Sequence, residues 1–161
     1  MKMRKSERQV TDSKRQIEIM QACKVCRVGF IDEGKVYIVP LNYGFEAEDG
    51  KFTLYFHGNA KGRKMDLAER ETYAAFEMDT NYQVISADMA CNHTSLFASI
   101  IGTGKVTVLT DYEEKRKAFK HIMIQCTGSD DYPYMEKAIE ATGMFKIEVE
   151  EISFKEHDGT K

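Results

Sequence analysis

The sequence predicts a mainly β protein with helices (β+α), folded as an antiparallel barrel. Three observations carry that expectation. Apolar and β-branched residues fall in short runs, not in long helical stripes. Several runs are joined by tight-turn signals, Asp32–Glu33–Gly34 and Glu48–Asp49–Gly50 among them, which favour antiparallel neighbours. No strand–helix alternation runs along the chain, which sets aside a doubly wound parallel sheet. Closing many short strands into a barrel also removes exposed edges.

The elements follow in order. Residues 1–10 are polar and basic and read as an extended arm. Thr11 or Asp12 caps a helix to about Ala22, with Ile17, Met20 and Gln21 on its inner side. Residues 24–31 alternate as a strand, and KVYIVPLNY at 35–43 returns beside it. Pro40 cannot donate to a ladder, so that strand is open or bulged there, or simply lies at a sheet edge. Residues 52–56 form the next strand, and a short helix over 61–70 follows the break at His57-Gly58-Asn59. Residues 73–78 and 82–87 read as two runs with a turn at Asp79-Thr80-Asn81. Residues 95–109 form a long strand in which Gly102 and Gly104 signal a bulge or a close backbone approach. Asp111 caps a helix to about Gln125, with Ala118, Phe119, Ile122 and Met123 at helical spacing. Pro133 opens a last helix to Ala141, and 144–154 is a final strand whose register slips after Val149. Residues 156–161 read as a frayed tail.

The totals narrow the class. A chain of 161 residues is expected to be one domain with a real core. Charged residues make up 30% but the net charge is −3, so nothing marks a nucleic-acid or acidic-surface specialist. No secretory signal or membrane-length apolar run appears, and the expected location is the cytoplasm. Of the four cysteines, Cys23-Lys-Val-Cys26 has metal-ligand or redox spacing, and Cys91-Asn-His93 could add two ligands. Buried reduced thiols are the competing reading, and no metal is expected.

The stretch LYFHGNAKGRKMDL at 54–67 carries the chemistry. Lys61, Arg63 and Lys64 fall in the first turn of the short helix, where the helix end is already partly positive and acidic residues belong. Cations there make sense when an anion such as a phosphate completes the site. A solvated basic turn is the plain alternative. His57 can cap the turn, and Tyr37, Tyr43, Tyr55 and Phe56 can be core aromatics. No nucleophile–base pair and no G-x-G-x-x-G dinucleotide fingerprint is present.

Four segments together resemble the flavin-binding split β-barrels related to pyridoxamine 5′-phosphate oxidase, in the nitroimidazole-resistance branch. They are MRKSER at 3–8, YIVPLNY at 37–43, YFHG to GRK at 55–64, and SLFASIIGTGKV at 95–106; the order and separations fit over residues 3–155. The resemblance implies a single split-barrel domain over 1–161, a homodimer, and FMN in a groove at the dimer interface. It implies that Val39, Pro40, Leu41, Asn42 and Tyr43 run beside the isoalloxazine ring, and that His57 lies near the ribityl chain or the ring. It implies that Gly62, Arg63 and Lys64 meet the phosphate, Lys64 foremost, and that Phe97 and Ser99 contribute from the long strand. In relatives the Phe97 position is often polar or basic, so this chain departs from the pattern there. The implied function is FMN-dependent reduction of a small acceptor such as a nitroaromatic, with His57 as proton donor or substrate contact and NAD(P)H as a transient donor. A flavin- or haem-binding protein without turnover is the alternative, with His57, His93 or His121 as an axial ligand. No basic carboxy-terminal motif of a pyridoxamine 5′-phosphate oxidase is present.

Overall fold

A computed structural model describes residues 5–159. Asp12 caps helix α1 (Ser13–Ala22), its side chain accepting from the Arg15 N–H at 2.7 Å. Strands β1 (Cys26–Asp32) and β2 (Lys35–Leu41) form a hairpin, and β3 (Tyr43–Glu48) and β4 (Lys51–Asn59) form a second. Both hairpins turn through two residues of positive φ, Glu33–Gly34 and Asp49–Gly50, the geometry that matches strand twist. Helix α2 (Arg63–Arg70), β5 (Tyr73–Ile85), β6 (Thr94–Val108), α3 (Tyr112–Thr127), α4 (Glu136–Ala141) and β7 (Thr142–His157) complete the order. Asp111 caps α3, accepting from the Glu114 N–H at 3.0 Å.

The seven strands run in the order β2-β1-β5-β6-β7-β4-β3, every pair antiparallel. That order dictates a rolled sheet. Strands β2 and β3 stand at its two ends, about 29 Å apart if the sheet were flat. Yet Asn42 alone joins Leu41 to Tyr43, a reach of about 7 Å. The sheet must therefore curl until its edges meet. No ladder pairs β2 with β3 among the described residues, so the barrel is split. Its interior holds Phe30, Phe56 and Phe145, the last two stacked at 4.9 Å, with Tyr43, Phe76, Met78, Ile100 and Phe154.

Five expectations change. Residues 73–85 form one strand, not two runs, because Asn81 (φ 59°) absorbs one extra residue as a bulge between Thr80 and Gln83. Helix α2 begins at Arg63 after a turn at Gly62, and α4 begins at Glu136, three residues past Pro133. Of the expected frayed tail, Glu156 and His157 continue β7, with His157 Nδ1 2.7 Å from the Ser95 carbonyl, while residues 160–161 lie outside the described residues. Of the expected arm, residues 1–4 lie outside the described residues; Ser6–Arg8 is a 3₁₀ turn, Gln9 bridges to Lys155, and the Val10 N–H donates to the Phe154 carbonyl. The slip in β7 falls where the alternation breaks, opposite Thr103 and Gly104.

The outer face of β2, β1, β5 and β6 carries an apolar patch beside the Arg27–Glu77 and Arg27–Asp79 ion pairs, and no described element covers it. Ile31, Val36, Ile38, Tyr73 and Ile101 are 49–69% exposed there, around a hollow of about 480 Å³ lined by Gly29, Ala75 and Thr103. No helix among the described residues is long and apolar enough to cross a membrane.

Candidate functional site

The cationic turn sits where β4 ends and α2 begins. Met65, Leu67 and Ala68 are at most 3% exposed and fix α2 against the barrel, while Lys61 and Arg63 are exposed and Lys64 is half-buried. Gly62 precedes the helix at φ 117°, a backbone that favours glycine, and no side chain caps the first N–H groups. Asn59 Oδ1 accepts from the Lys61 N–H at 3.0 Å and shapes the turn.

Lys64 is the central cation. Its Nζ reaches back over the strand to donate to the His57 carbonyl at 3.5 Å, and it has no carboxylate partner among the described residues. Burial pushes its pKa down, because the charged amine is partly desolvated without a counter-ion. Gly58 makes room for it: a Cβ at that position would lie 2.0 Å from Lys64 Nζ. The sequence therefore leaves space at Gly58 for a positive charge that the fold itself does not neutralise.

His57 lies on β4 beside that amine. Desolvation first, and the Lys64 charge second, hold its pKa below the ordinary value, so at neutral pH the ring is uncharged. It offers a hydrogen bond there more readily than a proton. Its Nδ1 is buried without a partner among the described residues, as is the Tyr134 hydroxyl, and the Phe119 ring stands 5.9 Å from the His57 ring and 6.4 Å from the Tyr134 ring. Tyr134 and Phe119 approach from the α3–α4 side, and the sequence carried no signal that they would.

Arg63 is placed differently from Lys64. Its Nε donates to Asp32 Oδ2 at 2.8 Å, and its guanidinium lies 4.4 Å from the centre of the Tyr37 ring. Asp32 Oδ1 takes a second bond, from Arg70 Nη2 at 2.7 Å. The two arginines hold the Asp32 carboxyl below the usual carboxylate range. Tyr37 brings β2 next to the turn, and the 39–43 segment leads away from it along the split. There Pro40 and Asn42 are exposed, Val39 is half-buried and Leu41 is buried. The Tyr43 side chain belongs to the core: its hydroxyl donates to the Met20 carbonyl at 2.6 Å. Among the described residues strand β2 pairs on one side only, with β1, so its other edge keeps N–H and C=O groups without a strand partner beside Pro40.

Phe97 and Ser99 stand apart from the turn. Ser99 is level with Asp79, which Arg27 grips at 2.6 Å, and Arg27 lies opposite Pro40; β5 and β1 separate Ser99 from β2. Phe97 packs edge-on against His157 at 6.4 Å and under Lys155 at 5.9 Å. Cys23 and Cys26 are buried and unpaired, with burial raising the Cys23 thiol to about 12, whereas Cys91 is exposed. No His, Cys, Asp and Glu group able to hold a metal ion occurs among the described residues.

Comparison with known proteins gives consistent findings. A family model described as pyridoxamine 5′-phosphate oxidase matches residues 12–156. No curated protein matches the chain in sequence. Among solved structures, a protein from Bacteroides thetaiotaomicron VPI-5482, provisionally assigned to 5-nitroimidazole antibiotic resistance, is 28% identical, covering 91% of this chain and 85% of that one at a TM-score of 0.77. The flavocytochrome Anf3 from Azotobacter vinelandii is 20% identical over 98% and 73%, at 0.78. An FAD and haem binding protein from Mycobacterium smegmatis is 16% identical over 94% and 74%, at 0.79.

Proposed function

The chain belongs to the pyridoxamine 5′-phosphate oxidase family, and from that membership we propose that it is an FMN-dependent oxidoreductase that reduces a small acceptor such as a nitroaromatic. The observation that carries the reading is Lys64, a partly buried cation without a carboxylate, set over Gly58 at an uncapped helix start. A phosphate supplies the missing negative charge and accepts from the helix N–H groups. The open edge of β2 fits the polar rim of a flavin ring, and Pro40 keeps part of that edge unpaired. The orphaned His57 Nδ1 fits a polar group of the ligand.

A bound flavin supplies the electron transfer itself. The chain's own groups bind and orient. Lys64, with Gly62 and the start of α2, anchors the phosphate; Val39, Pro40, Leu41 and Asn42 offer backbone along the ring, and Tyr43 ends that edge. His57 contributes a neutral hydrogen bond. A second copy of the chain covers the apolar outer face of β1, β2, β5 and β6 and supplies Phe97 and Ser99 to the groove. NAD(P)H docks transiently at the exposed flavin face. The nitroaromatic acceptor is taken from the 28%-identical Bacteroides protein.

The test is purification followed by an absorption spectrum, mass spectrometry of the bound small molecule, and NAD(P)H oxidation with and without a nitroimidazole. A flavin spectrum with nitroimidazole-dependent turnover supports the proposal. A sharp haem band, or a colourless protein that rejects added FMN, overturns it.

A further inference from the structure

The Asp32 cluster is not explained by anchoring α2. That helix is already fixed by Met65, Leu67 and Ala68, which are almost fully buried. Asp32 instead engages cations at both ends of the helix. Arg63 Nε and Nη2 lie 2.8 Å from its Oδ2, and Arg70 Nη2 lies 2.7 Å from its Oδ1. Tyr37 holds the Arg63 plane from the other side at 4.4 Å. Arg63 is the first residue of α2, adjacent in sequence to Lys64, and its side chain remains 58% exposed. Of these two neighbouring cations, the fold neutralises one and leaves the other bare.

We propose that Asp32 is an internal counter-anion that competes with a ligand's phosphate for the Arg63 guanidinium and thereby weakens nucleotide binding. The proposal rests on the phosphate reading of the Gly62–Lys64 turn. Two physical effects give the same sign. Arg63 reaches a phosphate at the helix start only by leaving or sharing Asp32, which costs part of an existing charge-assisted bond. The Asp32 carboxylate also repels a phosphate dianion placed nearby. Both effects weaken FMN binding and leave riboflavin, which has no phosphate, untouched. Arg70 retains a second carboxylate in Glu71 at 2.9 Å, so loss of Asp32 does not strand it.

The experiment is titration of FMN and of riboflavin, by quenching of flavin fluorescence, into the wild-type chain and into Asp32→Asn, Arg63→Ala and the double variant. Asp32→Asn is expected to tighten FMN roughly two- to fivefold at low salt, the size typical of an exposed ion pair. The gain shrinks at high salt, is absent for riboflavin, and falls to the smaller share left by direct repulsion when Arg63 is also replaced. Asp32→Ser serves as a second variant if the asparagine disturbs the adjoining Glu33–Gly34 turn. Weaker or unchanged FMN binding in a folded Asp32 variant overturns the proposal alone, as does a gain that persists undiminished without Arg63. A wild-type chain that binds neither flavin overturns the underlying flavin reading.

Discussion

Replacing Lys64 by Ala tests the site at its centre. The substitution removes the amine that lies 3.5 Å from the His57 carbonyl and has no carboxylate to leave behind. The free protein therefore loses little, because no buried partner is stranded. The complex loses one charge-assisted contact to a phosphate, about 1.5–3 kcal/mol. That corresponds to FMN binding weaker by about 10- to 150-fold. Riboflavin binding stays within a factor of about two, since the ring and ribityl contacts remain. The assay is parallel titration of both flavins, with circular dichroism to show that the fold is intact. A matching calorimetric series in salt should show the wild-type preference for FMN falling as ionic strength rises. Equal weakening of FMN and riboflavin would place Lys64 on the ring or in the fold. Unchanged FMN affinity would remove it from the phosphate site altogether.

Gly58→Ala should reproduce that phenotype without touching a charge, because its Cβ would meet Lys64 Nζ and displace the flexible amine; a Gly58→Ala protein that keeps full FMN affinity would refute the geometry. Gln125→Leu should lower stability by about 1–3 kcal/mol, since Gln125 Nε2 donates to the Met20 and Cys23 carbonyls at the end of α1 at 3.0 and 2.8 Å; urea denaturation with an unchanged slope reads this. The His57 pKa is depressed by burial, so its contribution to stability is complete above the unfolded value near 6.5 and is lost as pH falls toward the folded value. His57→Asn should flatten that limb in part, His121 keeping a contribution of the same sign; thermal scans across pH 5–7 decide it. Ile38→Lys should turn the proposed homodimer into monomers in analytical ultracentrifugation, because it places a charge on the exposed face of β2.

Local chemistry made much of the fold legible. The Glu-Gly and Asp-Gly turns, the Asp12 and Asp111 caps and the slip in β7 all depend on residues a few positions apart, and each appears where the sequence places it. The misread turn at residues 79–81 shows the limit of that logic. Asn81 does adopt positive φ, as a turn residue can, but pairing with β6 on both sides keeps the chain in one strand. Local propensity cannot distinguish a bulge from a turn when the decision belongs to the neighbouring strand. Strand order is hidden for the same reason: that Asn42 links the two extremes of the sheet is a property of seven strands, not of one residue.

The site divides along the same line. Lys64, Gly58 and His57 lie within eight consecutive residues, and their cluster of charge around a glycine is visible in the sequence. Asp32 is 31 positions from Arg63 and reads as an ordinary hairpin-turn residue, yet it determines which of two adjacent cations is neutralised. Tyr134 gives no signal either, although its hydroxyl shares with His57 Nδ1 the rare state of a buried polar atom without a partner. Charge counted along the chain gives Arg63 and Lys64 equal claims on a phosphate. The folded arrangement gives the physical ground for the order the resemblance implies, because Arg63 is engaged by a carboxylate while Lys64 is not. If the proposed phosphate site is right, binding should depend strongly on Lys64 and only modestly on Arg63.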